Sequence, residues 1–238
     1  TQAPEPPRDP ADPIYLSATA VESIDQCPLR WFLGREVKAD HGQTNAAGLG
    51  SIVHAIAKDL ADRTLDPEAD VPDLETMVGH VREAWPKLDH ESEWQAEREL
   101  ERAAQMVERL VIWEHANMRT LLAAEHTFTV PLNKADESVQ LTGSMDRIEK
   151  SELSGAIHVV DFKTGKSTPV IKDLGKHAQL GFYQVAVERG AAAELAGEEA
   201  VNGGAELVYL AKEASTKTPT VPKVFQQETL HEESPALG

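Results

Sequence analysis

Apolar residues along this chain recur first with the period of a helix and later with that of a strand, and the change falls at Glu125. Upstream, Leu49, Ile52, Val53, Ile56 and Leu60 stand three and four apart, as one face of an α-helix requires. A weaker period spans residues 73–85. A longer one, from about Glu93 to Ala124, carries Leu100, Ala103, Val107, Leu110 and Val111, then Leu121 and Leu122. Nearer the start, Val21, Ile24, Leu29, Trp31, Phe32 and Leu33 predict two short helices within residues 14–37, divided at Cys27-Pro28, with Ser17 or Thr19 as N-cap. Residues 40–47 read as a polar loop.

From Glu125 onward, His126, Phe128, Val130 and Leu132 alternate with Thr127 and Thr129, the period of two that a strand imposes. Residues 139–149 and 156–163 continue this β-prone character across polar turns, so three strands meander. Residues 176–189 return to helix and 206–211 predict a fourth strand. After Lys212 the chain is rich in Ser, Thr, Pro and Glu, with one β-prone piece at 221–225 and no convincing final element. The predicted unit is α/β: helix, three-stranded antiparallel meander, helix, fourth strand, with a helical lobe inserted at about residues 64–124.

With 238 residues, 41% hydrophobic and 26% charged, the chain can bury a sizeable core without disulfides. No run reaches the ~18 apolar residues of a membrane span, so no membrane partner is expected. Residues 1–13 hold five prolines among charges, a stiff extended linker and not a targeting sequence. The single Cys27 excludes an internal disulfide and fits a reducing cytoplasm, the expected location. Lys and Arg number 23 against 40 Asp and Glu, a formal charge of -17, which weighs against a free-standing nucleic-acid binder. It leaves room for an acidic metal site that acts on a strand delivered by another, basic domain.

Candidate chemistry centres on Asp161-Phe162-Lys163. Strand periodicity puts Asp161 and Lys163 on one side, and Asp146 from the preceding strand adds a second carboxylate. Two anions and one cation suit a divalent metal and a phosphate diester. Alone, the triplet is also a common surface ion pair of little worth. Its weight comes from an ordered series: Gly50-x-x-x-His54, Glu125, Gly143-x-x-Asp146, Asp161-x-Lys163 and Gln179-x-x-x-Tyr183. Gly165-Lys166-Ser167 imitates the end of a phosphate-binding loop, but Val160 stands where its first glycine is required. Neither a His-Glu-x-x-His zinc motif nor a Gly-x-Ser-x-Gly nucleophile turn is present.

In this series, and in the strings from Leu141 to Ile148 and from Val159 to Gly165, the chain resembles the RecB-type branch of the PD-(D/E)xK nuclease superfamily over residues 14–211. Helicase-nucleases of the RecBCD, AddAB and AdnAB kind are the comparison, and the Ala, Asp, Glu, Arg and Val usage points to an AdnAB-type subunit. The resemblance implies a restriction-endonuclease-like fold and a Mg²⁺- or Mn²⁺-dependent deoxyribonuclease in double-strand break repair. It implies that residues 14–238 are the nuclease domain, cut short at its C-terminus. Its partners would be single-stranded DNA, a helicase motor in the same polypeptide and a partner helicase-nuclease subunit.

By the same resemblance, Asp146 and Asp161 are metal-binding carboxylates, His54 a further ligand and the Phe162 main-chain carbonyl a backbone ligand. Lys163 stands at the attacking water or the phosphate, and Glu125 is an outer or second-metal carboxylate. Gln179 and Tyr183, four apart on one helix face, orient Lys163, water or phosphate. Each has a plainer competitor: a packed histidine at 54, a core-edge pair at 179 and 183, a surface pair at Asp146-Arg147. For Glu125 the competitor is a charge ending the long helix, where an acid opposes the macrodipole.

Cys27-Pro28-Leu29-Arg30-Trp31-Phe32 resembles the first cysteine of relatives that clamp the fold with an iron-sulfur cluster, using three further cysteines near the C-terminus. Four thiolates are required, so this chain alone is not expected to hold a cluster. Either the cluster is dispensed with or its other ligands lie beyond residue 238. As given, Cys27 is expected to be a buried free thiol. Two other functions fit less of the series: a catalytically silent module that guides DNA, and an interaction domain working through the 93–124 helix.

Overall fold

The alternating segments pair into one six-stranded mixed sheet, and the helical ones cover its faces, in a computed structural model that describes residues 12–29, 31–32, 46–66, 68–70, 73–85, 93–165 and 167–230. The strands are β1 (Ile14–Leu16), β2 (Thr120–Asn133), β3 (Asp136–Lys150), β4 (Ile157–Lys163), β5 (Asn202–Ser215) and β6 (Thr218–Gln227). The helices are α1 (Ala18–Gln26), α2 (Ala46–Leu65), α3 (Leu74–Ala84), α4 (Glu93–Ala116), α5 (Ala178–Glu188) and α6 (Ala193–Ala196), with a 3₁₀ turn at Ile171–Lys176. β2, β3 and β4 form the expected antiparallel meander. β4 and β5 run parallel, which demands a crossover, and α5 supplies it. β6 pairs antiparallel with β5, and β1 runs parallel to β3.

β4 is buried on both faces, so its apolar residues run without polar alternation. On one side Ile157 and Val159 join Met145, Ile148 and Leu207 beneath Leu180, Tyr183 and Ala186 of α5. On the other, Val160 and Phe162 join Val208 and Leu210 beneath Val53 of α2, Val81 of α3, and Val107 and Leu110 of α4. Each such side chain contributes about 1.5–3 kcal/mol when fully buried. Short polar links fix the helix starts: Ser17 Oγ accepts from Ala20 N at 3.2 Å, and Asp73 Oδ1 from Thr76 N at 2.8 Å.

Several boundaries differ from the sequence expectation. The long helix ends at Ala116, and Leu121 and Leu122 belong to β2. Asn117 turns the chain there: its Oδ1 accepts from Arg119 N at 3.2 Å and its Nδ2 donates to Glu149 at 2.6 Å. The lobe placed at 64–124 is therefore the helices of 74–84 and 93–116, and 120–124 lies in the sheet. Residues 14–16 form a strand, not helix. Residues 28–29 and 31–32 are helical, while 33–37, most of the 40–47 loop and 231–238 fall outside the described residues. The predicted fourth strand extends from 202 to 215, and the tail that promised no final element supplies β6, an edge strand that tolerates Pro222. Cys27 caps α1 with its side chain exposed, where a buried thiol was expected. Among the described residues no helix is long and apolar enough to cross a membrane.

Candidate active site

β2 lines one edge of β3, whereas the other edge is shared: residues 139–141 pair with β1, and 147–150 with β4. The β3–β4 ladder stops at Arg147 opposite Val160, so the two strands fork where Asp146 stands. Asp146 uses the fork, its Oδ2 accepting from the Phe162 main-chain N–H at 2.8 Å. That bond locks the carboxylate beside the strand that carries Asp161 and Lys163.

Across β3, Ala124 faces Arg147 and His126 faces Met145, which sets Glu125 opposite Asp146. Glu125 has φ 48°, the sole positive value for a non-glycine among the described residues. Such a backbone costs about 1–3 kcal/mol and collects at functional sites. The helix-end argument for Glu125 does not hold, since α4 stops nine residues earlier. His54 arrives from α2 with Nδ1 3.4 Å from Asp146 Oδ2 and 3.9 Å from Glu125 Oε1. One donor atom from each of His54, Glu125 and Asp146 lies within 4.8 Å of the others. Gly50, one turn before His54, permits this approach: a Cβ there would stand 2.9 Å from Thr164 Oγ1, just past the end of β4.

The triplet on β4 meets the first turns of α5. Asp161, 3% exposed, accepts at Oδ1 from Gln179 Nε2 at 2.8 Å and from the Tyr183 hydroxyl at 3.2 Å. Lys163 Nζ donates to Gln179 Oε1 at 2.7 Å and lies 2.6 Å from Asp161 Oδ2. Gln179 thus holds the ammonium with one end of its amide and the carboxylate with the other. The Lys163 contact is out of hydrogen-bonding alignment, so Asp161 Oδ2 remains a buried acceptor without a donor. Phe162 points the other way, its ring edge-on to Trp113 at 5.3 Å, and only its main chain serves the site.

Burial, and next the Asp161 charge, pushes Asp146 from an ordinary 3.8 up to about 8, against the pull of the Phe162 N–H. Burial, then Asp161, also drives the Tyr183 phenol up, so it keeps its proton. Glu125, Asp146 and Asp161 crowd at the fork with Lys163 against Asp161 and the exposed Lys58 near Glu125, so acids outnumber cations. A divalent cation fits this set: hard oxygen donors plus one imidazole, an orphaned carboxylate oxygen, and a buried carboxyl that would release its proton on binding.

The strand fork also rests on residues that sequence reading left aside. Arg147, taken as a surface partner in the plainer alternative, is 3% exposed. It bonds Glu114 Oε1 at 2.7 Å and the fully buried Glu149, with its guanidinium 5.4 Å from the Trp113 ring centre. Arg119 bridges Glu149, at 2.8 Å, and Glu206, whose carboxyl burial pushes up while Arg119 opposes the shift. The partners lie 30 to 87 positions apart except for Arg147 and Glu149, so no local pattern announces the network. Ser144 Oγ, 3.5 Å from Glu125 Oε2, is a further neighbour that the motif string contained without assigning a role.

No curated protein matches the chain. A family model described as the PD-(D/E)XK nuclease superfamily matches residues 15–236, a span that contains His54, Glu125, Asp146, Asp161, Lys163, Gln179 and Tyr183. A mixed sheet whose forked strands bring Asp146 to an Asp-x-Lys triplet agrees with that match, and the chain belongs to the PD-(D/E)XK nuclease superfamily.

Proposed function

We propose that this chain is the metal-dependent nuclease module of a bacterial helicase-nuclease, hydrolysing phosphodiester bonds of single-stranded DNA that an attached motor delivers. The observation that carries the proposal is the convergence at the β3–β4 fork of three carboxylates, His54 and one ammonium, on a superfamily scaffold whose members are usually metal-dependent nucleases. Mg²⁺ or Mn²⁺ held by His54, Asp146, Asp161 and the Phe162 carbonyl, with Glu125 beside it, would supply Lewis acidity toward the phosphate and lower the pKa of the attacking water.

The protein's own groups do the rest. Lys163, fixed by Gln179, offers a positive charge where negative charge gathers on the phosphate. Gln179 and Tyr183 hold Asp161 Oδ1, leaving Oδ2 beside Lys163 without a hydrogen-bond donor. The net charge of -17 supports a module whose main grip on DNA comes from a motor in the same polypeptide and a partner subunit, of the AdnAB type, in the cytoplasm. A silent guiding module is less favoured, because an inactive site has no use for Gln179, Tyr183 and Lys163 all aligned on Asp161.

Cleavage of labelled single-stranded and duplex oligonucleotides with Mn²⁺ or Mg²⁺ tests the proposal. The chain should cut the single strand, and Asp161→Ala should abolish cutting. A wild type that cuts with neither metal, or a variant that cuts equally well, overturns it.

A further inference from the structure

An acidic chain that must hold a polyanion needs a local exception to its own charge. Residues 161–188 and 206–228 come nearest to one: they hold seven of the 23 Lys and Arg and six of the 40 Asp and Glu. The remaining 16 cations stand against 34 acids. The two segments are separate in sequence but adjacent in space. Lys163 on β4 pairs with Tyr209 on β5, and Tyr209 with Lys223 on β6, so the three make a single row across neighbouring strands. Residues opposite one another in a ladder present side chains on the same face, and two strand spacings set Lys223 about 10 Å from Lys163 along the row.

The row crosses the sheet at the C-terminal end of β4, where its parallel pairing with β5 stops, and open α/β sheets bind their ligands at the C-terminal ends of parallel strands. Lys223 Nζ lies over the face of Phe225, 5.0 Å from the ring centre, and Phe225 is edge-on to Tyr209 at 5.5 Å. The ring face places the ammonium, whose three donors can still turn to a passing phosphate. The 3₁₀ turn adds Lys172 and Lys176, both exposed, and is tied to β6 by Gln227 Nε2, which donates to Leu174 O at 2.9 Å. Neither of these lysines, nor Lys223, forms an ion pair with a described residue. The Debye length is about 8 Å at physiological salt, so a strand lying on this row feels these lysines more than the acids of the distant faces.

We propose that this lysine rim is a track for the phosphate backbone of a single nucleic-acid strand, Lys223 taking a phosphate next to the one at Lys163, and Lys172 and Lys176 flanking it. The track deepens the nuclease proposal and rests on it only for the identity of the strand. Its contacts are to phosphates, so it reads no sequence.

The test is fluorescence anisotropy of labelled oligo(dT) with the full chain in Ca²⁺, over a series of salt concentrations. Each phosphate contact on a single strand contributes about 0.7 to the slope of log K against log salt. The variant Lys172→Ala/Lys176→Ala/Lys223→Ala should lower that slope by about 2 and weaken binding by ~10-fold or more at 0.1 M salt. It should raise KM for cleavage and leave kcat within about 2-fold. A control variant, Lys134→Ala/Lys150→Ala, changes lysines near the two ends of β3 and should bind like wild type. Equal slopes and affinities for the triple variant and wild type overturn the track, as does an equal loss in the control. Displacement of oligo(dT) by polyglutamate at lower concentration than by unlabelled oligo(dT) assigns the rim to an acidic protein and also overturns it. A chain that binds oligo(dT) through these lysines and never cuts it refutes the nuclease proposal while the track stands.

Discussion

Replacing Asp146 by Asn should make the metal-free protein more stable while removing its metal site. In the folded chain the carboxyl is pushed from 3.8 to about 8. Between those pH values the folded state keeps a proton that the unfolded state has released, so the stability of the metal-free protein falls as pH rises through that window and levels off above about 8. Asn carries no charge at any pH, and its Oδ1 can still accept from the Phe162 N–H. At ~1.4 kcal/mol per pKa unit the full shift corresponds to about 6 kcal/mol at alkaline pH. The side chain keeps 15% of its surface exposed and Lys163 is near, so relaxation returns part of this and about 3 kcal/mol is expected. For a chain of this length that is about 6–12 °C in Tm. Thermal melts in EDTA at about pH 5 and about pH 8.5 should show the wild type losing stability between the two and Asp146→Asn losing far less. Mn²⁺ should raise the wild-type Tm and leave the variant unmoved. A variant less stable than wild type in EDTA at the higher pH, or a wild type with equal Tm at both, would refute the charge crowding inferred at the fork.

Three further substitutions probe the supports of the site. Tyr183→Phe removes a hydroxyl that touches Asp161 and Gln179, a loss of about 1–1.5 kcal/mol, so single-turnover kinetics should show kcat down about 10-fold with KM unchanged. An unchanged kcat would mean that Asp161 is held without the phenol. Gly50→Ala puts a Cβ 2.9 Å from Thr164 Oγ1 and should weaken Mn²⁺ binding, read by electron paramagnetic resonance, by about 10-fold as α2 and His54 shift. Thr164→Ala in the same chain should restore much of it, and undiminished affinity in the single variant would show that the close approach does not position His54. Arg147→Met takes the guanidinium from Glu114 and from the fully buried Glu149, which keeps only Arg119 and Asn117, a cost of about 3 kcal/mol that urea unfolding should detect. A loss under about 1 kcal/mol would show the network to be dispensable.

The parts of this molecule that sequence disclosed are those whose partners lie within a few residues. Asp161 and Lys163 share a strand face because they are two apart, and Gln179 and Tyr183 share a helix face because they are four apart. The order of the meander followed from alternation interrupted by polar turns. What sequence concealed is set by distant contacts. β1 is three residues long and exists through pairing with residues 139–141, more than a hundred positions away. Leu121 and Leu122 extend the apolar period of α4, yet pairing of 120 and 121 with 150 and 149 claims them for the sheet. Arg147 looked like half of a surface pair because its partners, Glu114 and Trp113, come from the far side of the sheet. The strained backbone of Glu125 has no sequence signal at all, since glutamate is not a residue that favours positive φ. Its position beside His54 and Asp146 was legible only through its place in the motif series.

The central claim is that the β3–β4 fork is a divalent-metal centre, and a crystal of the chain grown with Mn²⁺ tests it most directly. Anomalous scattering should place an ion among His54, Glu125 and Asp146, with an Asp161 oxygen as a further ligand. A fork without a peak at saturating Mn²⁺, or an ion bound only elsewhere, would contradict it.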